Sequence, residues 1–121
     1  MDFNSSTPIY RQITDYCFGR ILCGAWPEGE RVPSVRELSV QMAVNARTVI
    51  KAFEYLEQNG LITPRRGLGY FLAPDARSRV ETLRRNEFVH EKLPALFSEM
   101  DLLGISPDDL IAAWQQYHSK S

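Results

Sequence analysis

Two helix-start signals lie close together near the middle of this 121-residue chain, and they constrain the fold more than any other feature. Ser34 and Glu37 have the spacing of a capping box, in which a serine caps a helix and a glutamate three residues later bonds back to it. This pattern predicts a short helix that ends near Met42. Asn45 suits the cap of a second helix, which Gly60 terminates. Because only a short turn separates them, the two helices must cross steeply, as in a helix-turn-helix.

The segments on either side of this helix pair complete a small domain. Thr7 followed by Pro8 is a start signal for an earlier helix, whose apolar residues recur at helical spacing as far as Gly24. After the pair, the short apolar segments 61–63 and 70–72 flank a basic turn that contains glycine. This pattern predicts a β-hairpin, and a hairpin in this place is the wing of a winged helix-turn-helix.

The rest of the chain is expected to form a short helical segment. A helical region over 75–101 should be interrupted by Pro94, and Ser106 starts a last helix. The expected fold is mainly α with a small β-hairpin. A winged helix-turn-helix domain occupies residues 1–73, and a short two-helix segment occupies residues 74–121.

Composition excludes several classes of protein. Hydrophobic residues make up 44% and charged residues 24%, which is typical of a globular chain. No apolar run approaches the roughly 18–20 residues of a membrane span, and no secretory signal is visible, so the cytoplasm is expected. Cys17 and Cys23 have neither disulfide-framework nor metal-knuckle spacing, and we expect reduced thiols that are buried or half-buried.

The formal net charge of −1 hides an uneven distribution. Residues 31–73 carry six basic and three acidic side chains, whereas the segments before and after them are net negative. Because local charge decides which partner a surface attracts, the middle of the chain is the part that could face a polyanion.

The helix that follows Asn45 has an apolar face and a basic face. Arg47 and Lys51 lie one turn apart on the basic face, in the N-terminal half, whereas acidic residues follow further along. Only the first turns could therefore lie deep in the major groove of DNA. Arg47 suits a bidentate pair with guanine, and Asn45 or Thr48 suits a base edge or a phosphate.

Basic residues on two neighbouring elements strengthen this interpretation, because a basic pair on one helix alone is more often a solvated face. Arg36 lies in the first turn of the preceding helix, where free N–H groups already favour an anion. Arg65 and Arg66 lie at the tip of the wing, where Gly67 and Gly69 would let the backbone approach a duplex.

Several runs in this part of the chain follow one another in a specific order. They are PSVRELS at 33–39, VNARTV at 44–49, FEYLEQNGLI at 53–62 and RGLGYFL at 66–72, preceded by PIYRQI at 8–13 and GAWPEG at 24–29. Together they resemble the winged helix-turn-helix of GntR-family transcription regulators. The remainder, with LLGIS at 102–106 before a last helix, is similar to the YtrA-like subfamily, which has a short two-helix C-terminal part.

The resemblance implies a sequence-specific regulator of transcription, a repressor whose partner is double-stranded DNA and whose operator controls ABC-transporter genes. Carried over by position, it implies DNA contacts from Ser34, Arg36, Asn45, Ala46, Arg47, Thr48, Arg66, Gly67, Leu68 and Gly69. The family usually has arginine or proline in place of Ala46, and here the arginine follows at Arg47. The base preference of relatives is therefore not carried over.

The apolar residues of the C-terminal segment exceed what two helices can cover against each other. They are Leu93, Leu96, Phe97, Met100, Leu110, Ile111, Trp114 and Tyr117. We expect them to form the twofold interface of a homodimer, the alternative being that they pack on the chain's own winged domain. Twofold symmetry predicts a near-palindromic operator with half-sites about 34 Å apart.

No residue pattern suggests catalysis, a metal or a cofactor. His90 and His118 are isolated, and Asp108 with Asp109 is explained by a helix start. We expect a DNA-binding protein and not an enzyme, with no membrane partner, and the sequence identifies no effector. Two alternatives remain open: a winged helix that docks an acidic protein, and a sensor that binds a small molecule between the winged helix and the C-terminal segment.

Overall fold

The computed structural model describes residues 8–120 and contains two compact units, one ending at Thr82 and the other beginning at Leu83. The elements in chain order are α1 (Ile9–Leu22), α2 (Val35–Met42), α3 (Ala46–Gln58), β1 (Ile62–Arg65), β2 (Gly69–Leu72), α4 (Ala76–Glu87), a π-helical segment (Phe88–Lys92), α5 (Leu93–Leu103) and α6 (Pro107–Ser119). The described residues are thus mainly helical with a two-stranded antiparallel sheet, which confirms the expected fold class.

Local capping interactions fix where α2 and α3 begin. Ser34 Oγ accepts a hydrogen bond from the Glu37 backbone N–H at 3.0 Å, and Glu37 Oε1 accepts one from the Ser34 N–H at 3.2 Å. Ala43 then ends α2 in the left-handed region at φ 54°. Asn45 Oδ1 accepts from the Arg47 N–H at 2.8 Å and starts α3. Both predicted caps are formed, and the predicted helix-turn-helix is confirmed.

The start of α1 differs slightly from the sequence prediction. The helix begins at Ile9, and Pro8 takes the N-cap position without a side-chain hydrogen bond to the helix. The sequence predicts Pro8 as the first helical residue, but in the structure it lies one position earlier, at the N-cap. The predicted cap residue Thr7 lies outside the described residues.

The core of the first unit lies where α1, α2 and α3 meet. Buried side chains from these helices include Ile13, Cys17, Leu38, Val49, Phe53 and Leu56. Phe53 also meets the Tyr70 ring edge-on, with centroids 5.2 Å apart and ring planes at 80°. This aromatic contact packs the hairpin, which we call the wing (residues 62–72), against α3.

A third extended segment, which the sequence did not predict, lies along β2. Ile62 pairs with Leu72 within the wing. On the other edge of β2, the Val32 N–H donates to Tyr70 O, and the Leu72 N–H donates to Glu30 O, both at 2.9 Å. Residues 30–32 are too few to show an alternating pattern in the sequence, so this pairing becomes visible only in the fold.

The first turns of α4 belong to the first unit, so the division of the chain falls later than the expected boundary at residue 73. Ala76 and Val80 are buried. Glu28 Oε2 accepts a hydrogen bond from the Arg77 backbone N–H at 3.1 Å, which ties the start of α4 to the turn after α1. The sequence shows a helix here but does not show this link across the chain.

The second unit contains the expected interruption at Pro94. The chain adopts a π-helical turn over Phe88–Lys92, and Pro94 lies in the first turn of α5. Proline in a helix lacks an N–H and its ring clashes with the carbonyl four residues earlier, so a wider turn before it relieves the clash. Ser106 Oγ accepts from the Asp109 N–H at 3.1 Å, and the predicted cap of α6 is formed.

Candidate nucleic-acid interface

The residues predicted to contact DNA all lie in the first unit, and none of them is buried. They form three groups. The start of α2 carries Ser34 and Arg36, the start of α3 carries Asn45, Ala46, Arg47, Thr48 and Lys51, and the turn of the wing carries Arg65, Arg66, Gly67, Leu68 and Gly69.

The start of α3 carries two exposed cations, and the second of them contacts an aromatic ring of α1. Arg47 is exposed in the first turn, and Thr48 beside it is half-buried. Lys51 is exposed one turn later, with its Nζ 4.2 Å from the centroid of the Tyr10 ring of α1. This cation–π contact restricts the Lys51 side chain without removing its charge from the surface. The sequence gives no local signal for Tyr10, because its partner lies on a distant helix.

The start of α2 combines a cation with a carboxylate. Arg36 is exposed in the first turn, next to Glu37. A hydrogen bond from Arg31, followed by hydrogen bonds from the backbone and side chain of Ser34, lowers the pKa of Glu37 below its usual value. Glu37 is therefore a carboxylate at neutral pH, and it places a negative charge within a basic surface.

The turn of the wing is tightly defined. The Leu68 N–H donates to Arg65 O at 2.9 Å, and Gly67 between them has φ +77°, a conformation that favours glycine. The Arg65 guanidinium carbon lies 4.0 Å from the centroid of the Phe71 ring. Arg66 is exposed, and Leu68 is 60% exposed. The turn thus presents two cations and one apolar side chain to solvent.

Arg31 joins the wing turn to the start of α2. Its Nε donates to Leu68 O at 3.2 Å, and its Nη2 lies 3.0 Å from Glu37 Oε1. We call this pair of contacts the Arg31 bridge. The sequence prediction counted Arg31 as one of the basic residues of the segment but assigned it no role, because Leu68 is 37 positions away. Two of the three basic groups are therefore held together by a residue that was missed.

The second unit presents an apolar surface. Leu93 and Leu110 are half-buried, Leu96 and Phe97 are exposed, and Ile111, Trp114 and Tyr117 of α6 are more exposed still, Trp114 at 65% and Tyr117 at 75%. Met100 is only 7% exposed, so it is covered within a single chain and is unavailable to a partner. We define the C-terminal apolar surface as Leu96, Phe97, Ile111, Trp114 and Tyr117.

The two cysteines of the described residues differ in exposure. Burial raises the pKa of the Cys17 thiol to about 12, which keeps it protonated. Cys23 is exposed, contrary to the expectation that both thiols are buried or half-buried. Residues 8–120 contain no cluster of three His, Cys, Asp or Glu side chains that could hold a metal ion. No helix in the same range is long and apolar enough to cross a bilayer.

This arrangement of a capped helix-turn-helix and a basic wing defines a winged-helix DNA-binding protein. Residues 9–72 match the family described as "Bacterial regulatory proteins, gntR family", which is more than half of the chain. The chain belongs to this family. Its members are transcription regulators that bind DNA, and transcription regulators are not a class of enzyme.

Relatives extend the similarity beyond the winged helix. "HTH-type transcriptional repressor YtrA" of Bacillus subtilis is 33% identical over 91% of this chain and 84% of its own length. The structure of a GntR family transcriptional regulator from Listeria monocytogenes matches with a TM-score of 0.78 and 35% identity. The match covers 94% of this chain and 98% of the Listeria chain. The DNA-binding domain of AraR in complex with operator ORR3 covers 60% of this chain and 88% of its own, at 27% identity and a TM-score of 0.54.

Proposed function

We propose that this chain is a homodimeric repressor that occupies a near-palindromic operator and thereby blocks RNA polymerase. The observation that carries the proposal is the exposure of three basic groups on one winged-helix unit, at the start of α2, the start of α3 and the wing turn. The AraR domain in its operator complex, which has a related fold, supports duplex DNA as the partner.

In this proposal the start of α3 enters the major groove. Arg47 pairs with guanine through its two-pronged guanidinium, while Asn45 and Thr48 contact a neighbouring base edge or phosphate. Glu54 and Glu57 are exposed on later turns of α3, where phosphates would repel them. Only the N-terminal turns of the helix therefore approach the bases.

Backbone contacts come from the surrounding cations. Arg36 and Lys51 bind phosphates on either side of the major groove, and Arg65 and Arg66 bind phosphates near the adjacent minor groove. Leu68 at the tip of the turn faces the minor groove. These contacts orient the protein on the duplex, whereas the start of α3 supplies base preference.

The C-terminal apolar surface is the proposed dimer interface. It is formed by large apolar side chains of α5 and α6 that a single chain leaves in water, and homodimer interfaces are characteristically apolar. The name of the relative YtrA supports repression as the mode of regulation. The resemblance to its subfamily points to ABC-transporter genes as the targets, and the protein would act in the cytoplasm.

The decisive experiment is to sequence the genomic DNA fragments that the purified protein retains. We expect enrichment of a near-palindrome whose half-sites are about 34 Å apart, the spacing that a twofold dimer imposes. Arg47→Ala should weaken the enrichment and flatten the base preference at one position of each half-site, whereas Arg85→Ala, which removes an exposed cation of the second unit, should leave the enriched sequence unchanged. Retention of fragments without any shared sequence would contradict the proposal and favour the alternative of a protein-docking module.

A further inference from the structure

The wing of this protein needs a support, because its own pairing is short. Each strand of the wing has four residues, and isolated two-stranded hairpins are only marginally stable in water. The strands are packed by the Phe53–Tyr70 contact, which lies one residue pair from the turn, and by the segment 30–32. The turn at the far end of the hairpin lies beyond these contacts, and it is the turn that carries the cations.

Arg31 reaches that turn from the segment that lies along β2. Its backbone pairs with Phe71 of β2, and its side chain extends to the Leu68 carbonyl. A second nitrogen of the same guanidinium contacts Glu37, whose carboxylate is fixed by the capping box of α2. One planar group with rigid geometry therefore sets the separation between the wing turn and the first turn of α2.

The absence of a side chain at Gly69 leaves room for this bridge. A Cβ atom at Gly69 would lie 3.1 Å from Arg31 Nε, and the residue has φ +99°, which side chains rarely adopt. By contrast, a Cβ at Gly67 would meet no atom within 4 Å. The sequence interpretation gave both glycines the same role, close approach to DNA. The structure gives Gly69 a different one, which is to leave room for the Arg31 side chain.

We propose that Arg31 is a positioning residue for DNA binding: its bridge holds the wing turn at a fixed distance from the start of α2, so that both reach the same duplex in register. The proposal rests on the proposed DNA-binding function. It assigns Arg31 an effect through Arg65 and Arg66, the cations of the wing, and not a phosphate contact of its own.

A double-mutant cycle distinguishes these two roles. Arg31→Ala is compared in the unmodified chain and in a background that carries Arg65→Ala and Arg66→Ala. We expect Arg31→Ala to weaken operator binding about fivefold in the unmodified chain, a factor that corresponds to a well-placed surface ion pair, and to change it less than twofold once the wing cations are absent. Equal effects in the two backgrounds, or no effect in either, overturn the proposal.

Glu37→Gln provides a second test. The loss of a negative charge by itself predicts tighter DNA binding, whereas loss of the positioning contact predicts weaker binding. Glutamine keeps the capping box of α2, and its loss of negative charge would strengthen the attraction of DNA to Arg31 and Arg36. The glutamine oxygen can still accept a hydrogen bond from Arg31, but this neutral bond is weaker than the ion pair. If the bridge positions the wing, binding therefore weakens in spite of the electrostatic gain. Tighter binding by Glu37→Gln overturns the proposal.

A measurement without DNA separates the proposal from the function on which it rests. In the free protein, the backbone ¹⁵N relaxation of Leu68 should report a more mobile wing turn in Arg31→Ala, with partial recovery in Arg31→Lys, while Ala52 in α3 is unchanged. An unmodified protein that retains no duplex overturns the proposed function, even when the relaxation changes. An unchanged Leu68 in Arg31→Ala overturns the bridge itself.

Discussion

The salt dependence of DNA binding gives a direct measure of how many phosphates the wing contacts. Arg65→Ala combined with Arg66→Ala removes both cations of the wing turn. The turn itself should persist, since it is closed by the backbone hydrogen bond from Leu68 to Arg65 and by the conformation of Gly67. The substitution therefore tests charge with little change in the fold.

The magnitude follows from counterion release. Each phosphate that a protein neutralises on duplex DNA contributes about 0.9 to the slope of log Kd against log salt concentration. Two cations in each wing therefore account for a slope of about 1.8 per protomer, and for about 3.6 in a dimer with both wings engaged. The Phe71 ring beneath Arg65 should not reduce its contribution, because a stacked guanidinium still presents N–H groups at its edge.

Fluorescence anisotropy with a labelled operator, titrated between about 50 and 200 mM salt, measures this slope. We expect a decrease of about 3.6 for the double alanine variant and little change for Arg65→Lys with Arg66→Lys, which keeps both charges. Arg85→Ala with Lys92→Ala removes two exposed cations from the second unit and should leave the slope unchanged. If the wing variant keeps the full slope, or the control variant loses as much, the wing is not part of the phosphate-binding surface.

Three further predictions test the other parts of the argument. Arg47→Ala should cost about 1–3 kcal/mol of operator binding and flatten base preference at one position, measured by competition among operator variants; unchanged discrimination would show that Arg47 does not contact a base. Trp114→Glu should shift sedimentation from dimer to monomer without unfolding the chain, whereas Gln116→Glu on the same helix should not; a Trp114→Glu dimer would exclude this surface as the interface. The lowered pKa of Glu37 stabilises the fold above its usual value of 4.5, so the stability advantage over Glu37→Gln should disappear as pH falls through the lowered pKa, and a difference that persists in acid would contradict the ionic origin.

The helix-turn-helix could be predicted from the sequence because its determinants are local. The capping box of Ser34 and Glu37 and the cap of Asn45 connect residues two or three positions apart, so the order of the residues already contains the interaction. The basic residues of the proposed interface were found for the same reason. They lie beside these caps or within the turn of a hairpin, where exposure is determined locally.

The parts that the sequence did not predict depend on contacts between distant positions. Arg31 meets a carbonyl 37 residues away, and Lys51 lies over the Tyr10 ring of another helix. The link from Glu28 to the start of α4 spans 49 positions, and it explains why the first unit continues past the expected boundary. Met100 has the helical spacing of an interface residue, but burial depends on neighbours that periodicity does not identify.

The Arg31 bridge also explains how an acidic residue can lie within a surface that faces phosphates. An isolated Glu37 at the start of α2 would repel the DNA backbone next to Arg36. Paired with Arg31 at 3.0 Å, it forms a nearly neutral unit, and half of each side chain remains in solvent, so the cost of desolvating the pair is small. Arg36, Arg65 and Arg66 then act as cations whose charge is not offset. The chain can therefore have a formal net charge of −1 and still present a positive surface to a duplex, because pairing decides which charges a partner meets.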